Sequence, residues 1–436
     1  MFALAGTNSK RLNQLSDKLW HMLLGLLSLL LLCTASPALA LPSSVKVTLF
    51  QSHPDITALA VDGPFEISQG AGSSGTSGAG LAFANHAEIS LAKGGLFLKT
   101  GRGAKPGRRL GARIIIRPSS PKPLRLQPNT LVSSGSGRLY RGCFFVTARG
   151  GKIEVVNEVD TKSYITSVVG SESLPEFPLE ALKAQAVLAS TVLARQRPNV
   201  KLSDSTDVQA YLGSDYERPL AQQAVAAVFG QKLERSNGTT PAVFYHSTCA
   251  GGTSDEREIF SGKELNDAAR KPVSSCRTAS RVKCSYCKNS PFFQEHRVQV
   301  SADQLRRKIG YVPLAVEVKD PEGRPLSVKV EKLLTTRPES KSESRIDSKL
   351  EHKPESKIDS VSGYDLWLKL GQAFGWGEVP GMRYSIESGP IVTITSTGAG
   401  HGAGLCQWGA YGMAKSGKNY REILQYYFPL VQVSAR

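Results

Sequence analysis

Outside its first forty residues, the sequence contains no apolar run long enough for a transmembrane helix. Acidic residues are also scarce, because 37 Asp and Glu stand against 54 Lys and Arg, which gives a formal net charge of +17. The basic residues are spread along the chain, and no nucleic-acid-binding motif accompanies them. These absences argue against further transmembrane helices and against nucleic acid as a partner.

The first forty residues predict export. A basic region with Lys10, Arg11 and Lys18 precedes the apolar segment Leu23–Leu32, and a small-residue cleavage pattern ends at Ala40. We therefore expect residues 1–40 to be a signal peptide and residues 41–436 to form one domain in the periplasm, in the cell wall or outside the cell. The alternatives are an uncleaved anchor and a lipoprotein. For an exported basic protein, polyanions of the cell wall are the expected partners.

Cysteine residues form a second pattern. Six follow the predicted signal peptide: Cys143, Cys249, Cys276, Cys284, Cys287 and Cys406. Two short spacings could each supply two ligands to one metal ion, namely Cys284-x-x-Cys287 and His246-x-x-Cys249. Together they predict a tetrahedral zinc site with one imidazole and three thiolates. One or two disulfides are the alternative that export favours, and free thiols are a third. The additional Cys276 leaves the choice open.

The pattern of strands and helices predicts an α+β fold that is mainly β, with a few packed helices and an open substrate cleft. Short alternating segments predict strands, and a hairpin is expected over Arg138–Val159 around the turn Arg149–Lys152. Residues 70–80 are predicted to be a low-complexity loop, and the charged, nearly repetitive residues 334–360 a disordered insertion. Helices are predicted over Leu220–Phe229, Ala302–Ile309 and Gly363–Phe374.

The segment 168–198 is the one around which we expect the chain to be organised. Ile165, Val168 and Val169 predict the end of a strand, and a short turn then carries Glu172. An alanine-rich helix follows and ends before Pro198. A carboxyl group at the mouth of a buried helix is a candidate catalytic acid, and a solvent-exposed helix cap is the alternative.

Near the C-terminus, glycines surround His401 and precede Gln407 and Trp408. The three side chains offer a ring nitrogen, an amide and a flat apolar face, which is a combination that suits sugars. The alternative is a glycine-rich turn into a packed helix, with His401 hydrogen-bonded within the protein.

Three sequence blocks resemble the SpoIID/LytB family, which includes stage II sporulation protein D and the amidase enhancer. They are LEALKAQAV at 179–187, FYHSTCAGGT at 244–253 and GHGAGLCQWGAYGMAKSGKNYREILQYYFP at 400–429. The resemblance implies a peptidoglycan lytic transglycosylase that acts on glycan strands without stem peptides. It assigns the catalytic acid to Glu172 and substrate contacts to Gln185, His401 and Gln407. Some relatives bind zinc near the second block.

The resemblance also predicts the reaction. Glu172 would protonate the oxygen between MurNAc and GlcNAc, then take the proton of the C6 hydroxyl and leave a 1,6-anhydroMurNAc end. The chain departs from the family at Ser173–Pro175, where Met-Pro is usual, and at Ser190–Val192, where Arg-Thr-Tyr is common. A second hypothesis is therefore a peptidoglycan-binding protein that activates a cell-wall amidase without cutting glycan.

Overall fold

A computed structural model describes ten segments of the chain. They are residues 41–53, 55–69, 80–92, 95–101, 107–131, 137–196, 200–206, 208–260, 281–333 and 356–434. The predicted signal peptide, residues 70–79 of the predicted loop and residues 334–355 of the predicted insertion lie outside the described residues, and so does Cys276. The described chain is a mixed α+β fold composed mostly of strands, as predicted.

The largest sheet is built from the first half of the chain. Its strands are β1 (Ser44–Thr48), β2 (Ala58–Gln69), β3 (Gly80–Ala92), β4 (Gly95–Thr100), β5 (Arg108–Arg109), β6 (Arg113–Pro118), β7 (Leu124–Pro128), β8 (Arg138–Tyr140), β9 (Cys143–Arg149), β10 (Lys152–Asp160) and β11 (Leu202–Ser203). Their order is β11-β1-β10-β9-β6-β2-β3-β4-β5, with β7 paired to β2 and β8.

The hairpin of β9 and β10 has the predicted turn. Arg149 pairs with Lys152, and the two glycines between them have positive φ angles of 58° and 77°. Two consecutive positive φ angles define the tight turn that matches the twist of an antiparallel hairpin, and glycine adopts them without strain.

Eight helices lie in the described part of the chain. They are α1 (Thr161–Glu172), α2 (Leu179–Ala194), α3 (Pro219–Val228), α4 (Glu256–Ile259), α5 (Ala302–Ile309), α6 (Gly363–Phe374), α7 (Gln407–Lys415) and α8 (Tyr420–Tyr427). The predicted helices correspond to α2, α3, α5 and α6.

The expected strand before Glu172 is wrong, because these residues form α1. The side chain of Asp160 accepts a hydrogen bond from the N–H of Ser163 and so caps the first turn of the helix. Val168 and Val169 are buried there against the neighbouring helices. Tertiary packing and a cap therefore override the strand propensity of β-branched residues.

Smaller sheets complete the fold. Antiparallel β12 (Leu233–Glu234) and β21 (Gln432–Val433) form one pair, and parallel β13 (Tyr245–His246) and β20 (Leu405–Cys406) form another. Two three-stranded sheets contain β14 (His296–Ser301), β19 (Ile391–Thr397) and β18 (Arg383–Glu387), and β15 (Val312–Lys319), β16 (Pro325–Leu333) and β17 (Ser356–Ser362).

Strand β17 corrects the predicted extent of the disordered insertion. Residues 356–360 belong to this strand and pair with β16. The side chain of Lys332 donates a 2.7 Å hydrogen bond to Asp359 across the two strands. Charged side chains at an edge strand remain in solvent while the backbone pairs, so charge alone was a poor criterion for disorder here.

The buried apolar residues form two clusters. The first joins the large sheet to α1, α2, α3, α7 and α8, and the second lies among β14 to β19, α5 and α6. The glycine-rich segment Gly398–Gly404, which precedes α7, runs between the two clusters, because Ala403 belongs to the second cluster and Leu405 to the first. None of the helices in the described part of the chain combines the length and apolar character that a bilayer crossing requires.

Candidate active site and sulfur cluster

Glu172 is the last residue of α1 and not a residue of the turn that follows, as the sequence had suggested. Its Oε1 accepts a 2.6 Å hydrogen bond from the backbone N–H of Ala210. The turn after it is held by Arg218, whose Nη1 donates to the carbonyl oxygen of Ser173 at 3.1 Å. The carboxyl group is thus fixed by a neighbouring loop and not exposed as a helix cap.

Burial raises the pKa of Glu172 above its ordinary value. The Ala210 N–H and the hydroxyl of Tyr245 act in the opposite direction, because donors stabilise the carboxylate form. Burial is the larger effect, so the carboxyl group stays protonated to a higher pH than an exposed glutamate. This is the property that a general acid requires near neutral pH.

Two predicted amide residues meet at Glu172. Gln407 is the first residue of α7, and its Nε2 donates to the backbone oxygen of Glu172 at 2.9 Å and to Oε1 of Gln185 at 3.4 Å. Gln185 projects from the middle of α2 and is 2% exposed. Its own Nε2 has no hydrogen-bond partner among the described residues. The structure therefore brings Glu172, Gln185 and Gln407 together.

Tyr245 is a residue of this site that the sequence analysis missed. The residue is half-buried with a buried hydroxyl, and this burial raises its pKa well above the ordinary value, with Glu172 and Gln185 among the groups that also act on it. Within the described residues, its hydroxyl makes no well-formed hydrogen bond. The only sequence signal was its position directly before His246 in the second family block.

His401 is hydrogen-bonded within the protein, which is the alternative stated for it above. Its Nδ1 accepts the N–H of Ala403 at 3.1 Å, and its Nε2 donates to the carbonyl oxygen of Tyr245 at 3.1 Å. These two partners assign the tautomer with the proton on Nε2. Burial lowers the pKa of His401 to about 4, so the ring is neutral near pH 7. Neither nitrogen is left for the predicted substrate contact.

Trp408 lies one residue further along α7, and its ring is half-buried. It contacts Phe177 edge to face, with ring centroids 5.5 Å apart, and Tyr411 at 5.1 Å. Its backbone N–H donates to the carbonyl oxygen of Ser247 at 3.0 Å. The predicted stacking residue is therefore part of a group of three aromatic rings at the start of α7.

The predicted metal ligands require one correction. Cys249, Cys284 and Cys287 come together as expected, but the fourth residue is Cys406 and not His246. The four buried sulfur atoms lie within 4.8 Å of one another. His246 directs Nδ1 to the carbonyl oxygen of Ala403 at 3.0 Å. The short spacing of His246 and Cys249 predicted that both would bind one metal ion. In the structure, Cys406 lies beside the other three cysteines and takes the place predicted for His246.

The surroundings of this sulfur cluster fit a metal ion. The Sγ atoms of Cys249 and Cys287 are 3.6 Å apart, close to the edge of about 3.8 Å that Zn–S bonds of about 2.3 Å give a tetrahedron. The N–H groups of Cys249 and Gly409 each donate to Sγ of Cys406 at 3.3 Å. The described cysteines are all unbridged. Four sulfur donors with supporting N–H groups suit a closed, structural zinc site.

Glycines allow the segment before α7 to approach β13. A Cβ atom at Gly404 would overlap the carbonyl oxygen of Phe244, and one at Gly400 would press against Cβ of His246. Both glycines have positive φ, at 75° and 90°. The backbone contact that places Leu405 beside Tyr245 therefore requires residues without a side chain.

Gly404→Ala tests this packing against Gly417→Ala. Both positions have positive φ, but Gly417 faces open space. We expect Gly417→Ala to lower the free energy of unfolding by about 1 kcal/mol, which is the cost of the left-handed backbone alone. Gly404→Ala adds a backbone clash, so this variant should lower the free energy of unfolding by about 3 kcal/mol or more. Urea unfolding measures both, and equal losses would contradict the proposed close contact.

Comparisons with known proteins point to one family. Residues 149–234, which include Glu172 and Gln185, match the model of the SpoIID family, described as stage II sporulation protein. An uncharacterized protein of Brachyspira hyodysenteriae is 26% identical over 306 residues, or 68% of this chain and 73% of that protein. The stage II sporulation protein D of Bacillus subtilis is 28% identical over 302 residues, 64% of this chain and 76% of that protein.

The stage II sporulation protein D of Bacillus amyloliquefaciens gives a similar match, with 28% identity over 64% of this chain and 75% of that protein. The resemblance to the SpoIID family that the three sequence blocks predicted is confirmed by the family-model match over residues 149–234 and by the relatives named stage II sporulation protein D.

Proposed function

We propose that the protein acts on the cell wall as an exported lytic transglycosylase, with glycan strands that lack stem peptides as its substrate. The observation that carries the proposal is the half-buried carboxyl group of Glu172, which accepts the Ala210 N–H, while the Gln407 amide donates to the Glu172 backbone oxygen and to Gln185. Similarity to the SpoIID family model and to stage II sporulation protein D supports a cell-wall role connected with sporulation.

The number of carboxyl groups favours this reaction over hydrolysis. Glycoside hydrolases use two carboxyl groups, about 5 to 10 Å apart. The groups that shift the pKa of Glu172 are its buried surroundings, the Ala210 N–H and the Tyr245 hydroxyl, and no second carboxyl group of the described residues is among them. A reaction in which one carboxyl group acts twice fits such a site.

In the proposed reaction, protonated Glu172 gives its proton to the glycosidic oxygen as the bond from that oxygen to C1 of MurNAc breaks. The C6 hydroxyl oxygen of the same MurNAc then bonds to C1, and its proton passes to the Glu172 carboxylate. The products are a 1,6-anhydroMurNAc end and a GlcNAc hydroxyl. Glu172 returns to its protonated form, and no water is consumed.

Replacement of Glu172 tests the proposal most directly. Glu172→Gln removes the proton donor but keeps the shape, and we expect the rate to fall by a factor of about 10² to 10⁴. Amidase-stripped peptidoglycan is digested, and mass spectrometry detects ends that are lighter by one water than hydrolysis products. Glu176→Gln is the matched control, because Glu176 is an exposed carboxylate in the adjoining turn.

Equal activity of the Glu172 and Glu176 variants would overturn the assignment. Intact strands from wild-type protein that still binds sacculi would favour the second hypothesis, a binding protein that activates a cell-wall amidase. That hypothesis rests on the net charge of +17 and on the unusual Ser173–Pro175 turn.

We also propose that the sulfur cluster holds one structural zinc ion. Bound zinc would join the segments that carry Cys249, Cys284, Cys287 and Cys406, and it would add binding free energy to the stability of the fold. Because all four donors are thiolates, the site has no open position for a reacting water, and the zinc takes no part in the proposed chemistry.

Zinc content distinguishes the revised ligand set from the predicted one. Cys406→Ser should lower zinc below one ion per chain and lower the unfolding temperature. His246→Asn should retain the zinc, since the asparagine amide can still donate to the carbonyl oxygen of Ala403. Elemental analysis of the purified variants measures the metal. Loss of zinc from His246→Asn with retention in Cys406→Ser would contradict the revised set.

A further inference from the structure

Residues 209–213 form a segment that contacts the last two turns of α1. The hydroxyl of Ser167 donates to the carbonyl oxygen of Gly213 at 2.8 Å, and the hydroxyl oxygen of Ser171 accepts the N–H of Leu212 at 3.2 Å. Ser167 and Ser171 are four positions apart, so they lie on one face of the helix. Two hydroxyl groups of α1 are therefore hydrogen-bonded to the backbone of segment 209–213.

A third hydrogen bond joins the same segment to the candidate catalytic acid. The N–H of Ala210 donates to Oε1 of Glu172 at 2.6 Å, and a donor at this distance stabilises the carboxylate form. Because Ala210 precedes Leu212 by only two positions, the location of its N–H depends on where Leu212 is held. Ser171 can therefore act on the Glu172 side chain through the backbone of a neighbouring segment.

Other contacts keep this part of the chain against α1 without the serine hydroxyls. A Cβ atom at Gly170 would overlap the carbonyl oxygen of Tyr216, which shows how closely the two backbones approach. The buried ring of Tyr211 packs against Tyr164 and Tyr140, with ring centroids 5.3 and 5.7 Å apart. Loss of a serine hydroxyl should therefore shift the segment slightly and leave it bound to α1.

We propose that Ser167 and Ser171 are positioning residues for the candidate acid. Their hydroxyl groups hold segment 209–213, and its Ala210 N–H then orients the Glu172 carboxyl group. The kinetic part of this inference rests on the proposed function, whereas the hydrogen bonds exist without substrate. After Glu172 has released its proton, the backbone donor keeps the carboxylate in one orientation, ready to accept the second proton.

Among the described residues, the titratable and charged groups near Glu172 keep one charge state around neutral pH. They are the phenols of Tyr164 and Tyr245 and, at the turn after α1, the guanidinium of Arg218. Burial raises the pKa of both phenols above the ordinary value, so both stay uncharged. The side chains that α2 and α7 contribute are amides. A shift in the Glu172 pKa after a change at Ser171 therefore reports on the Ala210 donor.

Ser171→Ala removes the hydroxyl that accepts the Leu212 N–H. Because the Ala210 donor is then less well placed while Glu172 stays buried, we expect the pKa of Glu172 to rise and the alkaline limb of the kcat/KM profile to move to higher pH. The kcat should fall about threefold to tenfold from lost orientation, with a smaller change in KM. Ser167→Ala should act in the same direction, and the double variant should exceed either one.

The Ala210 amide signal of the full chain, labelled with nitrogen-15 alanine, measures the pKa. Its proton donates to the Glu172 carboxyl group, so its chemical shift should change with pH as Glu172 titrates. Ala210→Gly identifies the signal by its absence. A hydroxyl that served stability alone would change the unfolding temperature of the variants but not the titration midpoint of the folded protein.

Two further variants serve as controls. Ser163→Ala is the matched one, because Ser163 lies two turns before Ser171 on α1 and uses its backbone N–H to donate to Asp160. It should leave the Glu172 pKa and the kcat unchanged. Ser171→Thr should restore both to their wild-type values, since threonine keeps the hydroxyl oxygen.

An unchanged or lowered Glu172 pKa in Ser171→Ala and in the double variant would overturn the proposal, and so would an equal shift in Ser163→Ala. The NMR titration needs no turnover. If the pKa rises as expected but the wild-type protein forms no anhydro ends, the proposed function fails and the positioning role of the two serines stands.

Discussion

The candidate site depends on a two-residue parallel pairing between β13 and β20. Through it, the glycine-rich segment reaches a strand more than 150 positions earlier in the chain. On one strand of the pair, Tyr245 is among the groups that shift the pKa of Glu172, and on the other, Cys406 joins the sulfur cluster. Such a short ladder supplies few hydrogen bonds of its own, so its stability comes from the close backbone approach that Gly404 permits and from the His401 hydrogen bonds.

The start of α7 connects the two halves of the site. Cys406 caps this helix by accepting the N–H of Gly409, and the next residue, Gln407, donates to Glu172 and Gln185. The adjacent residues Cys406 and Gln407 therefore belong to the sulfur cluster and to the candidate catalytic centre, respectively. A small shift of the helix end would move both, which gives a physical reason why the sulfur atoms and the amide lie in one short sequence block.

Local features were predictable from sequence, and features that depend on distant contacts were not. The hairpin at Arg149–Lys152 and helix α2 follow from turn glycines and helical periodicity. Cys406 lies 119 positions after Cys287, so spacing could not identify it as the fourth member of the cluster, whereas His246 lies close to Cys249 in the sequence. Likewise, the glycines around His401 indicated a close backbone approach, but not that both ring nitrogens would be used in it.

A carboxyl group that serves first as an acid and then as a base must keep one geometry in both charge states. Burial stabilises the neutral form of Glu172, whereas the Ala210 N–H and the Tyr245 hydroxyl stabilise the anion. These opposing contributions bring the two forms closer in free energy than burial alone would. Gln407 donates a hydrogen bond to the Glu172 backbone oxygen in addition. A change of charge on the Glu172 carboxyl group therefore need not move the end of α1. A site built in this way can return the proton without rearrangement, which is the requirement of a reaction that uses one carboxyl group twice.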